Sequence, residues 1–128
     1  FAFGYGMTYT SFKLSNIISD KKTYNSVGTI KISCKVKNTG DFTGKEVIQV
    51  YVGKKNSKVK RALKELKGFK KISILKGGLE KIEIKIAVDK LAFYDEKISD
   101  WNVEKGDYII YVGNSSDNIS KQIPITII

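Results

Sequence analysis

The stretch Ile30-Lys31-Ile32-Ser33-Cys34-Lys35-Val36-Lys37 alternates an apolar residue with a polar one at every step. Successive side chains of an extended chain point to opposite faces, so this pattern describes a strand with one buried and one wet face. Ile82, Ile84 and Ile86 repeat it against Lys81, Glu83 and Lys85. Tyr108, Ile110 and Val112 do so again, followed by Ile123, Ile125 and Ile127. Val47 to Val52 is apolar on both faces apart from Gln49, as in a central or interface-facing strand.

Turn signals separate these runs: Asn38-Thr39-Gly40-Asp41, Gly77-Gly78, Lys105-Gly106-Asp107 and Asn114-Ser115-Ser116-Asp117-Asn118. No stretch reads as a long amphipathic helix. About seven or eight strands at this spacing predict an all-β fold, an antiparallel sandwich of immunoglobulin-like type. Pro124 falls in the last run and predicts an edge there, because proline has no N–H to give a ladder.

The chain has 128 residues, enough for one core and too few for two. No apolar run approaches the roughly 20 residues of a membrane-spanning helix. Phe1 to Tyr9 has neither a basic leader nor a small-residue cleavage site, and no initiator Met precedes it. The chain therefore reads as the interior or end of a longer polypeptide. Cys34 is the only cysteine, so no internal disulfide can form. Its place between Ile32 and Val36 predicts a buried, inert thiol. One free cysteine leaves the compartment open, either cytoplasm or the outside of a bacterial cell.

The formal charge is +10, yet Arg61 is the only arginine. Arginine supplies the two-pronged fork that grips phosphate and reads guanine, so a lysine-only surface argues against nucleic acid. From Lys54 to Lys71 the chain holds nine basic residues against one acid, Glu65. This stretch separates a strand ending near Val52 from one beginning near Gly68, and much of it is expected to be an exposed loop, too long and too charged for a simple hairpin. It reads either as a solvated crossover between sheets or as a docking surface.

The chain has no histidine, which removes Ser-His-Asp and Cys-His catalysis and histidine-bound zinc. Gly4 and Gly6 flank Tyr5 without the strand and helix that a phosphate loop requires, and nothing else suggests a cofactor. Paired carboxylates are the remaining catalytic device. Asp95, Glu96 and Asp100 cluster, with Glu104 and Asp107 beyond them. Nothing around them would raise one pKa and hold the other down, and their spacing matches no calcium loop, so they read as solvated turns. Trp101 can stack on a sugar ring if exposed, although a tryptophan at the start of a hairpin strand more commonly plugs the end of a sandwich. Phe1, Phe3, Tyr5, Tyr9 and Phe12 crowd the first dozen residues and need cover, from the sandwich or from a preceding domain.

Phe3-Gly4-Tyr5-Gly6-Met7-Thr8-Tyr9-Thr10-Ser11-Phe12 resembles the FGYGLSYTxF motif of glycoside hydrolase family 3. There the motif leads from the catalytic region into a C-terminal fibronectin type III-like domain. Asn38-Thr39-Gly40, Gly44-Lys45-Glu46-Val47 and Gln49-Val50-Tyr51-Val52 are similar to the family's NTGxxxGKEVxQxYV. Arg61 and Lys64-Glu65-Leu66-Lys67-Gly68-Phe69 resemble its RPxKELKGF, with Ala62 in place of the proline. Phe93-Tyr94-Asp95, Trp101-Asn102-Val103, Glu104 to Tyr108 and Val112-Gly113-Asn114-Ser115-Ser116 follow in the family's order.

The resemblance implies a β-glucosidase or related exo-β-glycosidase whose catalytic aspartate and acid/base lie in upstream domains, none matched by an acid of this chain. It implies a linker at residues 1–12 that leaves the catalytic domain and packs on the sandwich, and a sandwich over 13–128. The module is then a non-catalytic one that docks on the catalytic domains of its own polypeptide. Phe3, Tyr5, Tyr9, Arg61, Lys64 and Glu65 are the expected interdomain contacts. The alternative is a carbohydrate- or polyanion-binding module that holds polymeric substrate near the active site, with Trp101 as the candidate glycan contact.

Overall fold

The computed structural model describes residues 11–55, 64–115 and 117–128. Within them lie ten strands: β1 (Phe12–Ser19), β2 (Thr23–Tyr24), β3 (Thr29–Asn38), β4 (Gly44–Lys54), β5 (Glu65–Ile74), β6 (Leu79–Ala87), β7 (Phe93–Asp95), β8 (Asp100–Asn102), β9 (Gly106–Ser115) and β10 (Asn118–Ile127). A single 3-10 turn, Val88–Leu91, follows β6. The expected seven or eight strands are thus exceeded. Seven of the ten are 8–11 residues long, while β2, β7 and β8 have only two or three. Strands that short show no alternation to read.

Two sheets face each other, one in the order β1-β3-β6 and the other β2-β10-β9-β4-β5, with β7-β8 as a separate hairpin. All pairings are antiparallel except β2 with β10, where Thr23 and Tyr24 run parallel to Thr126 and Ile127. The alternating residues do what their period dictates. Ile30, Ile32, Cys34 and Val36 of β3, and Ile82, Ile84 and Ile86 of β6, are buried. They meet Ile48, Val50 and Val52 of β4, Tyr108, Ile110 and Val112 of β9, and Ile125 and Ile127 of β10 in one core. Each such side chain taken fully from water contributes about 1.5–3 kcal/mol. On its side away from β9, β10 pairs only at Thr126 and Ile127, with β2, so Pro124 sits where that side of the strand is open, as its chemistry requires.

Strand β1 departs from strict alternation. Asn16 adopts φ 50°, and the pairing of β1 with β3 shifts between Ser15 and Ile18. This bulge brings Ile17 to the core and turns Ile18 to solvent. Asparagine tolerates the left-handed conformation better than most residues.

The basic stretch differs from its expectation. Strand β4 runs on to Lys54 and β5 begins at Glu65, and the two pair antiparallel in the same sheet. The connection is a hairpin within one sheet, not a crossover between sheets. Lys67, Lys70 and Lys71 stand on a strand. Ladder hydrogen bonds and the alternation of Gly68 and Ile72 toward the core outweigh the charge there. Residues 56–63 lie outside the described residues, as do 1–10. Strand β1 begins at Phe12, which packs against the core.

Two of the crossovers between sheets share one pin. Strand β3 passes to β4 in the opposite sheet, and β5 passes to β6. Asn38, fully buried, closes β3. Its Nδ2 donates to the carbonyls of Phe42 at 2.7 Å and Ile74 at 2.9 Å, and its Oδ1 accepts from Gly40 N at 3.0 Å. Its own amide donates to Gly78 O at 3.0 Å. Between Ile74 and Gly78 the chain reverses in a turn closed by Gly78 N to Leu75 O, with Gly77 at φ 73° where glycine is strain-free.

Candidate functional site

The outer face of the five-stranded sheet is built from the residues that the core does not use. Register places Leu66 of β5, Tyr51 of β4, Tyr111 of β9 and Gln122 of β10 in one row across four strands. Phe69 stands opposite Gln49 in the next row. Leu66 is 48% and Phe69 57% exposed, and Tyr51 and Tyr111 are half-buried by their neighbours. Tyr51 donates its hydroxyl to Gln49 Oε1 at 2.5 Å, which fixes the ring flat along the strand. Lys64 places its Nζ 5.4 Å from the centre of the Tyr111 ring, within cation–π range. Val47 to Val52, apolar on both faces, belongs to β4, the strand flanked by β5 and β9. One side of it fills the core and the other forms this aromatic row.

Lys64 and Glu65 therefore adjoin this face. Glu65, exposed, lies 4.0 Å from half-buried Lys67 at the limit of an ion pair, which contributes little to stability. Phe3, Tyr5, Tyr9 and Arg61 lie outside the described residues. Sequence reading missed Tyr51, Phe69 and Tyr111, because their assembly depends on register between strands up to 60 residues apart. The double-sided apolarity of β4 was the one signal that pointed there.

Trp101 does not plug the sandwich. It lies on β8 and is 65% exposed, with Tyr94 of β7 against it edge to face at 5.5 Å between ring centres. Its indole borders an open cleft of about 500 Å³ lined by Lys67, Asp89, Lys90, Ala92 and Val103 as well. A second shallow opening of about 430 Å³ lies where the edge strands β5 and β6 meet. There Gly68 lets β5 close on the opposite sheet, since a Cβ would come within 3.0 Å of Ile84 Cγ2.

The acidic residues are distributed rather than convergent. Asp100 is exposed and accepts from Trp101 N at 2.7 Å. Asp107 is exposed and accepts from Thr126 Oγ1 at 2.9 Å. The Glu104 carbonyl accepts the hydroxyl of buried Tyr108 at 2.5 Å, the corner that steadies the start of β9. Among the described residues no group of three Cys, Asp or Glu side chains could hold a metal ion. No described helix is long and apolar enough to cross a membrane. Cys34 is 4% exposed and its burial pushes the thiol up to about 11.

Two motif residues meet at one end of the sandwich. Glu46 Oε1 accepts from Val47 N at 2.9 Å and Oε2 accepts from Asn114 Nδ2 at 3.2 Å. Next to it, Gly113 has no room for a side chain: a Cβ would stand 2.1 Å from Asn118 O and 2.9 Å from Ile119 Cα. The β10 backbone takes that space through a bulge near Asn118 and Ile119.

This architecture defines the class, and comparison with known proteins agrees. The sequence profile of the fibronectin type III-like domain matches residues 46–116, and the chain belongs to that family. It is, more particularly, the kind of fibronectin type III-like domain carried by β-glucosidases of glycoside hydrolase family 3. A β-glucosidase of Kluyveromyces marxianus is 46% identical over 121 residues, covering 93% of this chain and 14% of that enzyme. Thermostable β-glucosidase B of Acetivibrio thermocellus is 44% identical over 93% of this chain and 16% of its own length. The crystal structure of the Bifidobacterium adolescentis family 3 β-glucosidase superposes with a TM-score of 0.87 at 32% identity, covering 98% of this chain and 18% of that one. The chain thus spans about a sixth of the length of these relatives. They come from yeast and bacteria alike, so the likeness does not confine the chain to a bacterial source.

Proposed function

We propose that this domain is a non-catalytic accessory module of a family 3 glycoside hydrolase, docked on the catalytic domains of its own polypeptide and stabilising them. The hydrolysis in this reading is of β-glucosidase type and belongs to the catalytic domains. The observation that carries it is the aromatic face of the five-stranded sheet, where Leu66, Tyr51, Tyr111 and Phe69 form a contiguous apolar surface with Lys64 at its margin. Surfaces of this kind, rimmed by polar residues, mark interaction sites. Phe3, Tyr5, Tyr9, Arg61, Lys64 and Glu65 are the proposed interdomain contacts, with residues 1–12 as the linker.

Phe69→Ser, made in a longer chain that carries the catalytic domains, is expected to lower the melting temperature. In the 128-residue chain the same change should stay within about 0.5 kcal/mol, since the ring is mostly in water. Tyr5→Ala should behave alike. Equal losses in both chains would sink the docking reading.

A second reading has its own observation. Trp101 and Tyr94 form an exposed aromatic pair beside a cleft with Lys67, Asp89 and Lys90, a set suited to stacking on a sugar ring and bonding its hydroxyls. Retention on insoluble cellulose or xylan, lost in Trp101→Ala, would support it. No retention on either would remove it.

A further inference from the structure

The outer face of the three-stranded sheet is paved with lysines set directly against one another. Register pairs Lys13 with Lys37, Lys35 with Lys81, and Lys31 with Lys85. Directly opposed residues carry Cβ atoms about 4.5–5.5 Å apart, and like charges so placed destabilise a sheet. Three such pairs occupy one face, and apart from Glu83 the positions between them are neutral: Ser15, Ile18, Ser33 and Leu79.

Acids offer little relief. Glu83 is the one acid whose register puts it on this face, and it lies 3.8 Å from Lys85. Asp20, at one end, is engaged by the Tyr24 hydroxyl and the Lys31 amide. Glu80, at the other end, belongs to the opposite parity of β6, opposite Val36. A surface needed only for solubility would intersperse both signs, which avoids the repulsion at no loss.

We propose that this face binds a linear acidic polysaccharide, laid across the lysine rows. Outward positions recur at about 6.4–6.8 Å along a strand and strands lie about 4.7–4.9 Å apart. Lys35 and Lys37 are one such step apart, while Lys31 and Lys35, and Lys81 and Lys85, are two, which sets spaced point charges over three strands for a chain of repeating anions. Nucleic acid fits less well. Among the described residues this face has no arginine fork for phosphate and no aromatic ring on which a base could stack. The inference stands apart from the docking reading, because the aromatic face is on the other side of the sandwich and remains free for its own partner.

The test is the affinity of the 128-residue chain for polygalacturonate, measured by calorimetry across a salt series. Affinity should fall linearly on a log–log scale with salt. Lys35→Gln/Lys81→Gln should weaken binding roughly tenfold and cut the salt slope by about a third, two of six lysines being lost. Its melting temperature should not fall, because a repulsive pair has gone. The control Lys70→Gln/Lys71→Gln on β5 should stay within about twofold of the parent. No binding at low salt, equal losses in both variants, or tighter binding to duplex DNA at the same salt would each overturn the proposal.

Discussion

Asn38, the last residue of β3, donates from Nδ2 to the carbonyl oxygen of Ile74, the last residue of β5, at 2.9 Å. The two strands belong to different sheets, so this bond ties the layers at the end where both crossovers leave. A polar side chain with no exposure is stable only when its donors and acceptor are all engaged. Asn38 meets that condition with Phe42, Ile74 and Gly40.

Asn38→Ala should strand the Ile74 and Phe42 carbonyls and cost about 2–4 kcal/mol. Urea denaturation of the 128-residue chain would read it as a lower midpoint at unchanged slope. A loss under about 1 kcal/mol would show that water replaces the amide there.

Gly113→Ala forces a methyl into the space held by Asn118 O and Ile119 Cα. Backbone rather than a flexible side chain must move, so a loss of about 2–3 kcal/mol is expected. Amide exchange should accelerate first in β10, whose bulge faces the new methyl. Gly77→Ala is a useful contrast, because its cost comes from φ 73° alone and no atom lies within 4 Å.

Tyr24 and Asp20 predict a pH profile of stability. Burial, and then the hydrogen bond to Asp20, push the Tyr24 hydroxyl from 10.0 to about 12. Burial works against ionisation of Asp20 too. The bonds it accepts from the Tyr24 hydroxyl and the Lys31 amide outweigh this and hold its carboxyl below the ordinary 3.8. A raised tyrosine contributes stability that is complete below its unfolded value and lost as pH rises through the folded one. The depressed aspartate contributes stability present above its unfolded value and lost as pH falls through the folded one. Tyr24→Phe should therefore cost about 1–2 kcal/mol at neutral pH. The gap to the parent should narrow between pH 10 and about 12, and again in acid below the ordinary aspartate value of 3.8. A gap independent of pH would refute the coupling.

Cys34 is almost wholly covered, and its thiol ionises only near 11. At pH 8 the native chain should leave a thiol-reactive disulfide reagent unconsumed, and unfolding in urea should release one equivalent. Labelling should then proceed at the rate of unfolding. Rapid labelling of the native chain would mean that β3 opens locally.

Much of the fold was legible because one physical rule, the two-residue period of an extended chain, acts on each strand separately. Ile30 to Val36, Ile82 to Ile86 and Tyr108 to Val112 each announce an inward face without reference to any other segment. The motif glycines and Asn38 were legible as punctuation but not as causes. That Asn38 reaches Ile74, and that Gly113 yields its space to Asn118, depends on chain segments that meet only when folded.

The lysine-rich stretch was the plainest misreading. Charge suggested a loop reaching to about Gly68, whereas ladder pairing with β4 begins the strand at Glu65 and carries it to Ile74. An edge strand keeps one side of its backbone open and most of its side chains in water, so lysines can stand on it without burying a charge.

By itself the sequence determined the all-β class, the identity of the core, the buried thiol and the lack of histidine chemistry, since these follow from residue type and local period. Only the tertiary structure decided which outward residues share a face. Register set Tyr51 beside Tyr111 to make an aromatic surface, and Lys31 against Lys85 to make a cationic one. The reason is that alternation fixes whether a side chain points in or out, while its neighbours across the sheet are fixed by pairing between strands distant in the chain.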